Sequence, residues 1–146
     1  MKNPFTTNDQ IPDKNEWVSR LDNYLAEVTC WQKMIACRIE KNLLMKDVLS
    51  CILQNNSNNG FLEEIENFQT RFILEDETYT ALKRSAGDLD EYLMKTRMEP
   101  EKRETLIQIE KVMATLRGEI ENSDRHFQIV CTSFKQFQSV VQICAS

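Results

Sequence analysis

Two polar side chains stand where the pattern around them calls for apolar ones. Glu75 interrupts the series Phe61, Ile65, Phe68, Phe72, Tyr79, Leu82, Ala86, Leu89 and Leu93, and Ser123 interrupts the series that leads from Leu106 and Ile120 to Phe127 and Val141. A carboxylate in an apolar seam must find a partner or take up a proton. Arg38 is the natural partner by charge, Asn42 lies one helical turn beyond it, and His126, the single histidine, is one position off the seam. Three chemistries are open to this set. Arg38, Asn42, Glu75, Ser123 and His126 can form a polar layer that penalises slipped packings, as polar core positions do in coiled coils. The same residues can anchor a small ligand at mid-bundle. Glu75 and His126 could also act as acid and base, which requires an open cleft.

Other catalytic and cofactor chemistry has little to stand on. A di-iron site in a helical bundle needs Glu-x-x-His on two helices; the residue three before His126 is Ser123, and no second histidine exists. No two cysteines lie within four residues of each other, so zinc spacing is absent. Gly60, Gly87 and Gly118 are too far apart for a phosphate-cradling loop or a nucleophile elbow. Paired carboxylates such as Glu63/Glu64 and Asp88/Asp90 read as solvated surface. The expectation is a non-catalytic protein without cofactor or metal.

Cys30, Cys37 and Cys51 share one heptad phase, with Leu44 in the fourth place. No local cluster of Lys, Arg or His would lower a thiol pKa, so they read as small hydrophobes at the margin of a seam. An odd number of cysteines outside C-x-x-C pairs suits a reducing cytoplasm.

The elements that must position these residues are helices. Only 3 glycines and 3 prolines occur in 146 residues, too few turn formers for a sandwich, a barrel or a doubly wound sheet. Residues 1–12 read as a flexible polar arm with no apolar core of a signal peptide. Residues 13–146 read as one domain of three helices over about 13–54, 61–97 and 100–144. Asp13 and Glu16 form an Asp variant of the capping box, and Pro12 with Trp17 sits where a hydrophobic staple would. The first helix carries Val18, Leu21, Leu25, Val28, Ile35 and Ile39 at helical spacing. It ends in the run Asn55 to Gly60, which tolerates left-handed backbone. Pro100 opens the third helix at a first-turn position, and its hydrophobic phase continues across Gly118 and Asn122-Ser123-Asp124. Helices of this length span about 55–65 Å at 1.5 Å per residue. Short connections fold them into an up-down-up antiparallel bundle with coiled-coil-like heptad seams.

One surface exceeds what such a bundle requires. Leu43 to Leu53 holds eight apolar residues in eleven, and Lys135 is the only charge from Phe127 to Ser146. Up-down-up topology brings both segments to the same end. Depletion of charge is the mark of an interface core. The sequence therefore predicts a scaffold or interaction protein that self-associates through Leu43, Leu44, Met45, Val48, Cys51 and Ile52, with a ligand-binding sensor or carrier as the alternative. A net charge of −5 provides no basic footprint for nucleic acid, and no segment approaches the roughly 20 apolar residues of a membrane span.

Overall fold

Asp13 starts the first helix as its spacing predicts, its Oδ1 accepting from the Glu16 backbone N–H at 2.8 Å. The computed structural model describes residues 12–56 and 60–145, and the side chains of all of these except 56, 100 and 143–145. Within this range the elements are α1 (Lys14–Asn56), α2 (Leu62–Arg97) and α3 (Leu106–Ala145), and no strand occurs among the described residues. They form the up-down-up antiparallel three-helix bundle. The polar arm expected over residues 1–12 lies outside the described residues except for Pro12, which is buried and whose carbonyl accepts from Arg103 at 3.4 Å. Cys144, the last residue of the expected seam, is likewise outside the described side chains.

The start of α3 differs most from the sequence reading. Pro100 opens a 3-10 run, Pro100–Thr105, with non-helical backbone at Lys102, and the α-helix proper begins at Leu106. Gly60, at φ +81°, makes the turn before α2 in the left-handed region where a side chain is costly. α3 runs unbroken across Gly118 and Asn122-Ser123-Asp124, because its buried positions keep phase there, with Leu116, Ile120 and Phe127 each at most 5% exposed.

The seams of α2 and α3 are those of the sequence pattern, from Ile65 to Leu93 and from Leu106 to Val141, with Ser123 half-buried. The α1 stripe is corrected. Its buried line is Trp17, Leu21, Val28, Trp31, Ile35, Asn42, Met45 and Leu49, whereas Val18, Leu25 and Ile39 are only half-buried flanks. Alternating steps of four and three from Trp17 pass through Arg38 and Asn42. The seam of α1 is thus interrupted twice, and the i, i+3, i+4 choice between Trp17 and Val18 hid it.

Contacts divide the chain into two compact units, Met1–Met34 with Lys83–Ile120, and Ile35–Leu82 with Glu121–Ser146. In the first, Trp17, Leu21 and Val28 on α1 belong to one core with Leu93 on α2 and Leu106, Ile109 and Met113 on α3. Its rim carries ion pairs Arg20 to Glu16 and Glu110, Arg97 to Asp22, and Arg117 to Glu27. In the second, Phe68, Phe72, Phe134 and Phe137 form an aromatic cluster with centroid distances of 5.1–6.4 Å, and Phe61 joins it edge-on to Phe137 at 5.9 Å. Such offset and edge-on pairs add about 0.5–1.5 kcal/mol each beyond area burial. All of the sequence-predicted site residues fall in this second unit.

Candidate functional site: a buried polar layer in the second unit

The layer is built where the α1 and α2 seams each present a polar residue to the core. Asn42 and Glu75 are 1% and 2% exposed. Asn42 donates from Nδ2 to the Phe72 carbonyl at 2.9 Å and to Asp76 Oδ1 at 2.7 Å, so it ties α1 to a backbone group and a side chain of α2. Asp76 in turn pairs with Lys46. Glu75 Oε1 meets His126 Nδ1 at 2.5 Å. One partner of that contact is wholly buried; the other is 65% exposed.

The expected pairing of Arg38 with Glu75 is not formed. Arg38 holds Asp124 instead, Nε and a terminal nitrogen both reaching Oδ1 at 2.8 and 2.7 Å, with its guanidinium 5.7 Å from the centre of the Phe127 ring. The reason is lateral placement. Asp124, on α3, flanks the seam beside α1, and a half-exposed carboxylate is cheaper for a guanidinium to reach than one inside the core. His126, on the opposite flank of α3, then serves Glu75. Ser123 lies between these two pairs on α3 and is half-buried.

Sequence reasoning missed Asp124, Asp76, Lys46 and Tyr79. Asp124 and Asp76 each follow a seam break by one residue, Ser123 and Glu75, which is the signal that could have found them. Tyr79, one turn beyond Glu75 and 1% exposed, stacks edge-on to Phe127 at 5.5 Å. Burial, then the charges of Asp124 and Glu75, push its phenol up to about 12, with Arg38 opposing. Burial also raises the Cys131 thiol, against the pull of Lys41 and Arg38.

The layer is incompletely closed. Glu75 Oε2 and Asn42 Oδ1 are buried with no hydrogen-bond partner among the described residues. A surface groove of about 350 Å³ lined by Lys46, Leu49, Ser50, Gln69, Phe72 and Ile73 borders it, sharing Lys46 and Phe72.

The expected partner surface divides in two. Leu43, Leu44 and Val48 are 56%, 58% and 38% exposed, Cys51 is exposed and Ile52 half-buried, whereas Met45 and Leu49 are 8% and 2% exposed and belong to the core. The cysteines are also corrected: Cys30, Cys37 and Cys51 are exposed, not seated at the margin of the seam, and Cys131 alone of the described cysteines is buried. Their shared phase lies on the outward side of α1. Among the described residues no group of three metal-ligating side chains converges, and no helix is long and apolar enough to cross a membrane.

No family model, no curated protein and no solved structure matches the chain.

Proposed function

We propose that this is a non-catalytic helical bundle that takes a small polar ligand at the buried layer, acting as a sensor or carrier. One observation carries the reading: Glu75 Oε2 and Asn42 Oδ1 are buried without partners among the described residues. Each such group costs about 1–3 kcal/mol when left unsatisfied, and native interiors pair nearly all of theirs. A layer that served only to set register would be better closed, since a partly satisfied network is less stable than an apolar one. The open positions are two acceptor oxygens, which suits a compact molecule rich in donors, such as a primary amine, an amide or a polyol. The groove along Lys46 and Phe72 supplies an approach.

The test is thermal unfolding of the full chain with a panel of such compounds in excess. A ligand that binds the native state raises the midpoint by linkage. The rise should vanish when Asn42→Leu and Glu75→Leu together remove the layer. A panel without effect on the wild type, or a rise that survives in the double variant, counts against the layer as the site.

A second reading, self-association, is favoured by the exposure of Leu43, Leu44 and Val48 on one helix. Its measure is the mass of the reduced protein by sedimentation equilibrium up to about 100 µM, the range in which weak association shows.

A further inference from the structure

α1 carries a second apolar line that is left exposed among the described residues. From Cys37 it runs through Leu44 to Cys51, all exposed, with exposed Lys41 and Val48 along one edge. Cys37, Leu44 and Cys51 are seven residues apart, so they hold one angular position on the helix as a coiled-coil seam does. This line lies on the exposed flank of α1 beside Met45 and Leu49, which belong to the core.

We infer that this line is where a second copy of the chain docks, α1 beside α1 in parallel about a two-fold axis. The inference rests on the self-association reading and adds to it a face, an occupant and a direction. Charge decides the direction. Glu40 and Asp47 flank the line on one side, Lys41 and Val48 on the other. In a parallel pair opposite flanks meet, which sets Glu40 against Lys41 of the second copy, twice by symmetry. In an antiparallel pair centred on Leu44 like flanks meet, which sets Glu40 against Asp47 of the second copy, a repulsion also counted twice. Glu40 has no ion-pair partner among the described residues of its own chain, so it is available for the contact. A two-fold axis along the helices brings each residue of the line next to its own counterpart. Cys37 therefore meets Cys37, Leu44 meets Leu44 and Cys51 meets Cys51.

The cysteines make the register readable. In the full chain with Cys30→Ser and Cys144→Ser, one variant keeps Cys37 (Cys51→Ser added) and another keeps Cys51 (Cys37→Ser added); Cys131 stays in both as a buried thiol. Diamide, a two-electron oxidant, joins neighbouring thiols as a disulfide and takes up their two protons and two electrons. Each variant, with one exposed thiol besides the buried Cys131, should give a covalent dimer alone, and a mixture should give no link between Cys37 of one and Cys51 of the other. Without oxidant, Leu44→Glu should weaken self-association by about tenfold or more while helicity is retained. Glu40→Lys should weaken it as well, and adding Lys41→Glu should restore it. Cross-links that form only in the mixture would overturn the parallel arrangement. A dimer that neither variant traps, and that Leu44→Glu leaves intact, would overturn this face while leaving self-association standing. A wild type that stays monomeric up to about 100 µM would overturn both.

Discussion

Glu75 and His126 differ more in environment than any other bonded pair in the layer, one at 2% and the other at 65% exposure. Removing either partner therefore has unequal consequences. His126→Ala leaves both oxygens of a buried carboxyl unpaired and should cost about 1–3 kcal/mol in urea titration at neutral pH. Glu75→Leu continues the seam between Phe72 and Tyr79 and should cost less or stabilise. The double variant His126→Ala with Glu75→Leu should recover most of the loss, a coupling well above the few tenths typical of separate sites. Arg38→Met should be additive with Glu75→Leu, because Arg38 belongs to Asp124. Coupling between Arg38 and Glu75 would contradict this assignment. Tyr79 has a separate signature in alkali. Its phenol ionises near 12 when folded and near 10 in the ordinary case, so between these values the native state keeps a proton that the unfolded chain gives up. Stability is intact below pH 10 and falls as the pH rises toward about 12, by at most about 1.4 kcal/mol per pH unit. Tyr79→Phe should flatten that fall relative to wild type in denaturation at graded pH.

At the scale of the helix, the seams of α2 and α3 could be read from the sequence because large apolar residues recur every three or four positions with one exception each. That regularity also carries α3 through Gly118. α1 was harder. Its apolar residues occupy several phases at once, with Trp17 next to Val18 and Leu43, Leu44 and Met45 in a row, and its true seam includes Arg38 and Asn42. Burial chose the line that places both tryptophans inside. The same crowding explains why Leu43 and Met45, two residues apart and alike in hydropathy, end on opposite sides of the helix. Phe134, 2% exposed in the aromatic cluster, should cost about 3–5 kcal/mol on replacement by Ala, while Ile129, 63% exposed, should cost far less. Gly87 and Gly118 lie inside helices with nothing within 4 Å of a built Cβ. Gly118→Ala should therefore stabilise by about 0.5–1 kcal/mol, visible as a raised urea midpoint with unchanged slope. A loss of stability there would mean that the helix is not continuous at that point.

For the molecule as a whole, composition settled the class and connection lengths settled the topology, since so few glycines and prolines leave little but long helices folded back on one another. The existence of a polar layer was legible for the same reason: two seam breaks fall at one level when the helices are mirrored about their connections. Which side chain meets which was not legible. Asp124 and His126 stand on opposite flanks of the α3 seam, and heptad phase alone does not say which of those flanks faces Arg38 on α1 and which faces Glu75 on α2.

The polar breaks in α1 and α2 also constrain how the chain could change length and keep its architecture. An apolar seam repeats every seven residues, so a deletion of seven within one helix restores its stripe but displaces everything beyond it by about 10.5 Å along the axis. If only α2 were shortened, between the Asn-rich connection and Glu75, the Glu75 carboxyl would leave His126, Asp76 would leave Asn42, and both would come to face apolar side chains. Shortening tolerated by this chain should therefore involve all three helices at a common level, away from the layer. Asn42 and Glu75 act as a ruler on which unequal edits are recorded as a mismatch, even though the heptads themselves are indifferent to them.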